Sequence, residues 1–231
     1  MKKLLIRVKS IAIRIFLWFI GLSIFSVILF RFIPIPITPL MIIRCVEQVM
    51  NGEDLKLKKD WVSLDEISAA LPLAVIAAED QNFEEHFGFD LDAIAKARAY
   101  NEKHPGKRLK GASTISQQTA KNVFLWPSRS WVRKGFEVYF TFLIEVIWSK
   151  RRIMEVYLNV IEMGKGIYGA EAAANQFYKK PASKLSVRES ALIAAILPNP
   201  TKWSPVKPGP YIQKKSIRIV RNIGRMKSED F

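Results

Sequence analysis

The pattern of apolar and polar positions divides the chain into a long unbroken hydrophobic run and a remainder with helical periodicity. From Ile11 to Ile33 the only charged or hydroxylated residues are Arg14, Ser23, Ser26 and Arg31. The uncharged stretch from Ile15 to Phe30 is slightly shorter than the ~20 residues that cross a bilayer as a helix, and snorkelling of Arg14 and Arg31 extends it. Pro34, Pro36 and Pro39 prevent that helix from continuing. Leu40 to Ile43 is apolar again, which fits a segment resting on a membrane surface as well as it fits a piece of core. Beyond it, Ser63-Leu64-Asp65-Glu66 reads as a capping box opening a short helix. Pro72 suits the first turn of a second helix, which runs through Val75 and Ile76 to Glu79. Asn82 to Gly88 reads as a loop, Asp92 to Tyr100 as helix, and His104-Pro105-Gly106 as its end.

Further helices are expected from Ser113 to Leu125, Trp131 to Trp148 and Arg151 to Ile161. Gly164, Gly166 and Gly169 form a turn before a helix from Ala170 to Tyr178. Ser186-Val187-Arg188-Glu189 is a second capping box, whose helix runs to Leu197 before Pro198 and Pro200 stop it. A proline-rich stretch then reaches Pro210, followed by a last, basic helix. Alternating strand patterns are scarce, so the fold class is all-α, and no internal repeat is visible. The domain plan is a basic tail (1–10), a transmembrane anchor (11–33), a partly membrane-associated juxtamembrane linker (34–60) and one globular domain (61–231).

Composition narrows what that domain can be. Of 231 residues, 49% are hydrophobic and 25% charged, which excludes both a disordered chain and a multi-span membrane protein. The single cysteine, Cys45, excludes an internal disulfide framework and a Cys-based zinc site, and two histidines, His86 and His104, argue against a His-rich metal site. A net charge of +15 calls for a polyanionic partner or surface. Lys2, Lys3, Arg7 and Lys9 precede the apolar run, so the positive-inside rule puts the N-terminus in the cytoplasm and the domain outside. A cleavable signal peptide competes with the anchor, but Arg31-Phe32-Ile33-Pro34 lacks the small residues of a cleavage site. Export argues against nucleic acid, and the charge then reads as attraction to a membrane surface and to phosphates on lipid carriers.

Two segments carry candidate chemistry. Glu79 closes a helix, where the negative dipole end and the apolar neighbours Val75, Ile76 and Ala78 both favour its protonated form, as suits a general base or acid. In Gly111–Asn122, helical spacing aligns Ser113, Gln117 and Lys121, and also Thr114, Gln118 and Lys121. This uncharged polar stripe ends in a cation and is suited to hydrogen-bonding sugar hydroxyls.

Here the residues reach a family. Glu79-Asp80-Gln81-Asn82-Phe83-Glu84-Glu85-His86-Phe87-Gly88 resembles the first motif of the peptidoglycan glycosyltransferases, and Gly111–Asn122 resembles the second. Arg133-Lys134-Gly135-Phe136-Glu137 is similar to the third, Lys150 to Asn159 to the fourth, and the helix holding Arg188, Glu189 and Ala191 to the fifth. Five motifs in order across Leu73–Leu197 are far more specific than any one of them. The resemblance implies a lysozyme-like, two-lobed helical domain that polymerises lipid II, with lipid-linked nascent glycan as donor and undecaprenyl pyrophosphate as leaving group.

By the same resemblance, Glu79 is the catalytic base and Glu137 the second important carboxylate, acting through neighbouring basic residues or through a divalent ion. Lys121 and Arg129 match the pyrophosphate-binding positions, and Arg133 and Lys134 extend the cradle. Ser113, Gln117 and Gln118 contact sugar or order the cleft. Asp80 and His86 support the site, and Tyr157 and Asn159 are weaker candidates on a helix that must also build core. No organic cofactor is implied, while Mg or Mn is left open. The expected partners are the two lipid-linked substrates, membrane lipid and other cell-wall synthesis proteins, and no nucleic acid. The lack of a transpeptidase domain after Phe231 points to the monofunctional branch, anchored in the plasma (inner) membrane by a single span with the domain on the periplasmic or extracellular side. Two rivals have different needs: a lysozyme-like hydrolase requires no phosphate cradle, and a non-catalytic tethered wall-binding protein requires no base.

Overall fold

The computed structural model describes residues 2–107, 109–128 and 130–225 and divides the chain into two compact units, residues 1–34 and 35–231. The first is one helix, α1 (Lys2–Phe32), which is continuous through the basic residues before Ile11. Within it Ile6–Phe32 is long and apolar enough to cross a membrane by length and composition. Those 27 residues rise about 40 Å, more than a hydrocarbon core needs. Phe16, Leu17, Trp18 and Phe25 are exposed along it, as lipid-facing side chains are.

The second unit is helical, as the periodicity predicts. It holds α2 (Pro39–Met50), α3 (Ala70–Glu79), α4 (Leu91–Lys103), α5 (Ile115–Phe124), α6 (Trp131–Ile147), α7 (Lys150–Val160), α8 (Ala170–Tyr178), α9 (Val187–Ile196) and α10 (Pro210–Ile223). Two packing groups make its core. In one, α3 lies against α9 and α10; in the other, α5 lies against α6 and α7. Helix α3 is apolar nearly all round, with Leu71, Pro72, Ala74, Val75, Ile76 and Ala77 buried, so its end is drawn into the molecule.

The segment 34–60, expected as a linker, is largely built into this unit. Thr38 caps α2 by accepting from the Met41 N–H, and Pro39 occupies the first turn, where its missing N–H costs nothing. The Gln48 amide grips the Lys56 backbone from both sides, accepting from its N–H at 2.6 Å and donating to its carbonyl at 3.2 Å. Lys58–Lys59 forms a short strand, β1, pairing in parallel with β3 (Ile167–Tyr168), which pairs antiparallel with β2 (Glu162–Gly164). Of the three glycines read as a turn, Gly164 and Gly166 belong to a hairpin and Gly169 caps α8, and the strands are too short to show an alternating pattern. At Gly166, φ is +66° and a Cβ would stand 2.2 Å from the Lys56 carbonyl oxygen, so only glycine fits.

Asn159 makes a second amide clasp. Its Oδ1 accepts from the Val62 N–H at 3.0 Å, and its Nδ2 donates to the Val62 and Glu155 carbonyls at 2.9 and 2.8 Å. With its side chain fully buried, Asn159 ties the chain before α3 to α7. Asn159→Ala leaves the Val62 groups without partners and is expected to lower stability by about 1–3 kcal/mol. Urea unfolding in detergent, followed by circular dichroism, measures this; an unchanged midpoint would show that the clasp contributes nothing.

Candidate active site

Helix α5 is the axis of the site, and its start is set by hydrogen bonds on both sides. The expected start at Ser113 is corrected: Thr114 is the N-cap and Ile115 the first helical residue. Thr114 Oγ1 accepts from the Gln117 N–H, and Gln117 Oε1 accepts from the Thr114 N–H at 3.0 Å, a reciprocal capping box. Ser113 therefore stands before the helix, exposed, and does not share the stripe with Gln117 and Lys121. Gln117 is buried by its capping role.

Asp80, the residue after Glu79, anchors that helix start to the first motif. Its carboxylate accepts from the Ile115 N–H at 2.9 Å and faces His86 Nε2 at 2.9 Å. A carboxylate at a helix N-terminus also meets the positive end of the dipole. Gly88 closes the motif with φ +77°, where a Cβ would press on Thr141 and Glu145 of α6 at 2.8 and 3.0 Å. Glu145, which the sequence reading passed over, accepts from Ser116 Oγ and from Lys150 Nζ, the latter at 2.9 Å. Lys150 also donates to the His86 carbonyl at 2.6 Å and stands over the Phe83 ring. Residues of the first, second and fourth motifs are thus cross-linked before any substrate arrives.

Glu79 ends α3, as expected, with its side chain 16% exposed. It opens into a cleft of about 370 Å³ that is also lined by Lys110, Gly111, Ala112 and Ser113. Burial pushes its pKa above the usual carboxylate value, opposed first by the Lys215 ammonium, then by Gln118 and Lys121. Tyr157 is wholly buried and donates to Gln118 Oε1 at 3.2 Å, which turns the amide so that Nε2 faces Glu79 Oε2 at 3.4 Å. Lys215 of α10 reaches Glu79 Oε1 at 3.5 Å; nothing in the sequence distinguished it from the other cations of that helix.

Lys121 sits in the last turn of α5 and, among the described residues, its ammonium makes no hydrogen bond or ion pair. Burial pushes its pKa down, and Glu137 is the strongest influence holding it up. It lines a second cleft, of about 490 Å³, with Arg44, Asn122, Trp126, Ser128 and Arg133. Arg129 lies outside the described residues. Glu137 is buried on α6, with Arg133 Nη1 at 2.7 Å from Oε2 and Lys134 Nζ on Oε1. Both of its oxygens therefore face cations, and among the described residues no group of three or more His, Cys, Asp or Glu is placed to hold a metal. Of the two roles expected for Glu137, orienting the neighbouring basic residues fits this geometry.

The structure so brings Glu79, Gln118, Lys121, Tyr157 and Lys215 together, with Arg133, Lys134 and Glu137 around Lys121 on its other side. Arg188 is exposed, and Glu189 closes the capping box of α9 and pairs with Lys180, so the fifth motif serves the scaffold. A carboxylate of raised proton affinity facing one cleft, beside cations facing the next, suits transfer to a hydroxyl with departure of an anion.

Comparison with known proteins agrees with this arrangement. Residues 47–226 match the family described as Transglycosylase. The chain is 56% identical over 215 residues to a biosynthetic peptidoglycan transglycosylase of Bacteroides thetaiotaomicron, covering 93% of this chain and 86% of that one. It is 51% identical to the protein of that name from Caulobacter vibrioides, covering 96% and 93%, and 47% identical to that from Cronobacter sakazakii, covering 99% and 94%. The chain belongs to the transglycosylase family and is a peptidoglycan glycosyltransferase that builds glycan strands.

Proposed function

We propose that this enzyme polymerises lipid II at the outer leaflet of the plasma (inner) membrane, with Glu79 as general base and Lys121 on the departing pyrophosphate. The observation that carries the reading is a half-buried carboxylate, opening to a cleft, beside a cation that has no ion pair among the described residues. Glu79 takes the proton of the acceptor 4-hydroxyl as its oxygen bonds to the donor's anomeric carbon. The bond from that carbon to the pyrophosphate oxygen breaks, the electron pair leaves with undecaprenyl pyrophosphate, and α linkage becomes β. Burial raises the basicity of Glu79 toward working pH, and Lys121 stabilises charge that grows only as the bond breaks. Glu137 holds Arg133 and Lys134 where they extend that positive field. A hydrolase acting on finished wall releases no pyrophosphate and has no use for these cations.

The same reading places the domain outside the cytoplasm, because Lys2, Lys3, Arg7 and Lys9 precede the span. Helix α2 leaves Ile42, Val46, Val49 and Met50 exposed at helical spacing, an apolar face suited to the membrane surface where both substrates are anchored.

Three outcomes test this. Glu79→Gln keeps the shape but cannot accept the proton, so polymerisation of lipid II, resolved on a gel, should fall by about 10²–10⁴ with folding intact. Retention of more than about a tenth of turnover would remove Glu79 as the base. Lys121→Ala should lower turnover more than it raises KM, since the lost interaction grows in the transition state; a rise in KM alone would place Lys121 in ground-state binding. A topology reporter fused after Phe231 should be active only outside the cytoplasm, and cytoplasmic activity would reverse the orientation.

A further inference from the structure

Helix α10 reads in sequence as a basic helix with a solvated face, yet Lys215 is turned inward and is only 9% exposed. An ammonium is not buried without a partner, because desolvation costs several kcal/mol. The partner here is the carboxylate assigned as the base, with Nζ 3.5 Å from Glu79 Oε1. The two residues arrive on different elements: α3 delivers Glu79 at its end, and α10 packs against α3. Glu79 Oε2 meets Gln118 Nε2, so its two oxygens are held from opposite sides of the chain order, by α5 and by α10.

The other groups around this carboxylate cannot replace Lys215. From α5 come the neutral Gln118 and the Lys121 ammonium, the latter acting from beyond ion-pair distance. From α7 comes Tyr157, whose hydroxyl is spent on Gln118. Asp80 follows on the chain and is occupied by Ile115 and His86. Helix α9 carries Arg188 and Glu189 in its first turn, with Glu189 held by Ser186 and Lys180. On α10 itself, Arg218 acts on Lys215 as a like charge.

We propose that Lys215 is the positioning residue of the transferase site: its ammonium pairs with Glu79 Oε1, keeps that carboxylate ionised in its half-dry setting, and fixes the direction in which it receives the acceptor proton. This rests on Glu79 being the base. The directions of titration agree with the geometry. Burial pushes Glu79 up and Lys215 down, and each charge pulls the other back toward its ionised form. A nearby cation lowers a carboxylate pKa by about 1–3 pH units. Its removal therefore raises the folded Glu79 pKa and leaves less of the ionised base at a given pH.

The test compares Lys215→Met, which keeps the stem and loses the charge, with Lys215→Gln and Lys215→Arg in the full-length protein in detergent. In the Met and Gln variants the acid limb of kcat/KM for lipid II should move up by about one pH unit or more, with activity regained at higher pH. Lys215→Arg should hold the limb near its wild-type place. The same titration is read without turnover by carboxyl ¹³C NMR of Glu-labelled protein, with the Glu79 signal identified by its loss in Glu79→Gln. A Glu79 signal that titrates at the same pH in wild type and Lys215→Met, whatever the loss of rate, would overturn the proposal. If the NMR titration moves while the rate profile does not, Lys215 sets the ionisation of Glu79 as proposed, and it is the assignment of Glu79 as base that fails.

Discussion

Everything in this site answers to the cost of keeping one carboxylate charged where water is scarce. Helix α3 is apolar almost throughout, so packing drives its end inward, and Glu79 goes with it. In bulk water the side chain would be a weak base; buried without support it would simply stay protonated. The structure settles between those limits. One oxygen faces a neutral amide, the other faces an ammonium, and a second ammonium stands further off on α5. The amide is itself aimed by Tyr157, so a fully buried aromatic on α7 governs which end of Gln118 meets Glu79. The raised proton affinity that remains suits the role of base proposed for Glu79.

That balance survives only if the surrounding helices hold their places, and the polar network below the cleft keeps them there. Asp80 is chained to the start of α5 and to His86, and Lys150 links the His86 carbonyl to Glu145, which in turn receives Ser116. Apart from the Asp80–His86 contact within one loop, each bond joins different elements, and nearly all the groups are buried, where an unmade hydrogen bond is costly. The motif residues therefore divide by task. Those facing the clefts are few, and the rest make α3, α5, α6 and α7 behave as one frame around Glu79.

Much of this was legible because it is written in local chemistry. Both capping boxes, at Ser63–Glu66 and Ser186–Glu189, form as their spacing requires, and the proline positions mark the starts of α3 and α10. The start of α5 was misplaced because Ser113 and Thr114 are both good caps, and only the Gln three residues after Thr114 decides between them. Helix α2 was missed because its stripe mixes exposed Ile42 and Val46 with buried Met41 and Gln48, which blurs the period. Lys215 could not be read at all. Along α10 it is one cation among several, and only the packing of α10 on α3 turns it toward a carboxylate more than a hundred residues earlier.

Under the proposed function, helix α2 offers a cleft for a lipid-linked anion without a dedicated lipid pocket. Leu40 and Arg44 line the cleft that holds Lys121 and Arg133, while Ile42, Val46, Val49 and Met50 on the same helix are exposed. Arg44 is itself moderated by Glu47 at 2.7 Å and by Glu162 at 3.7 Å, so it adds positive field without the full force of a bare guanidinium. A substrate of the proposed kind has a pyrophosphate joined directly to an apolar tail, and both parts must be satisfied within a few ångströms of one another. One helix that turns a cation to the cleft and an apolar face outward meets that demand geometrically. The Gln48 clasp on Lys56 and the pairing of β1 with β3 then hold α2 to the domain, so that its apolar face and the cationic cleft remain in fixed register.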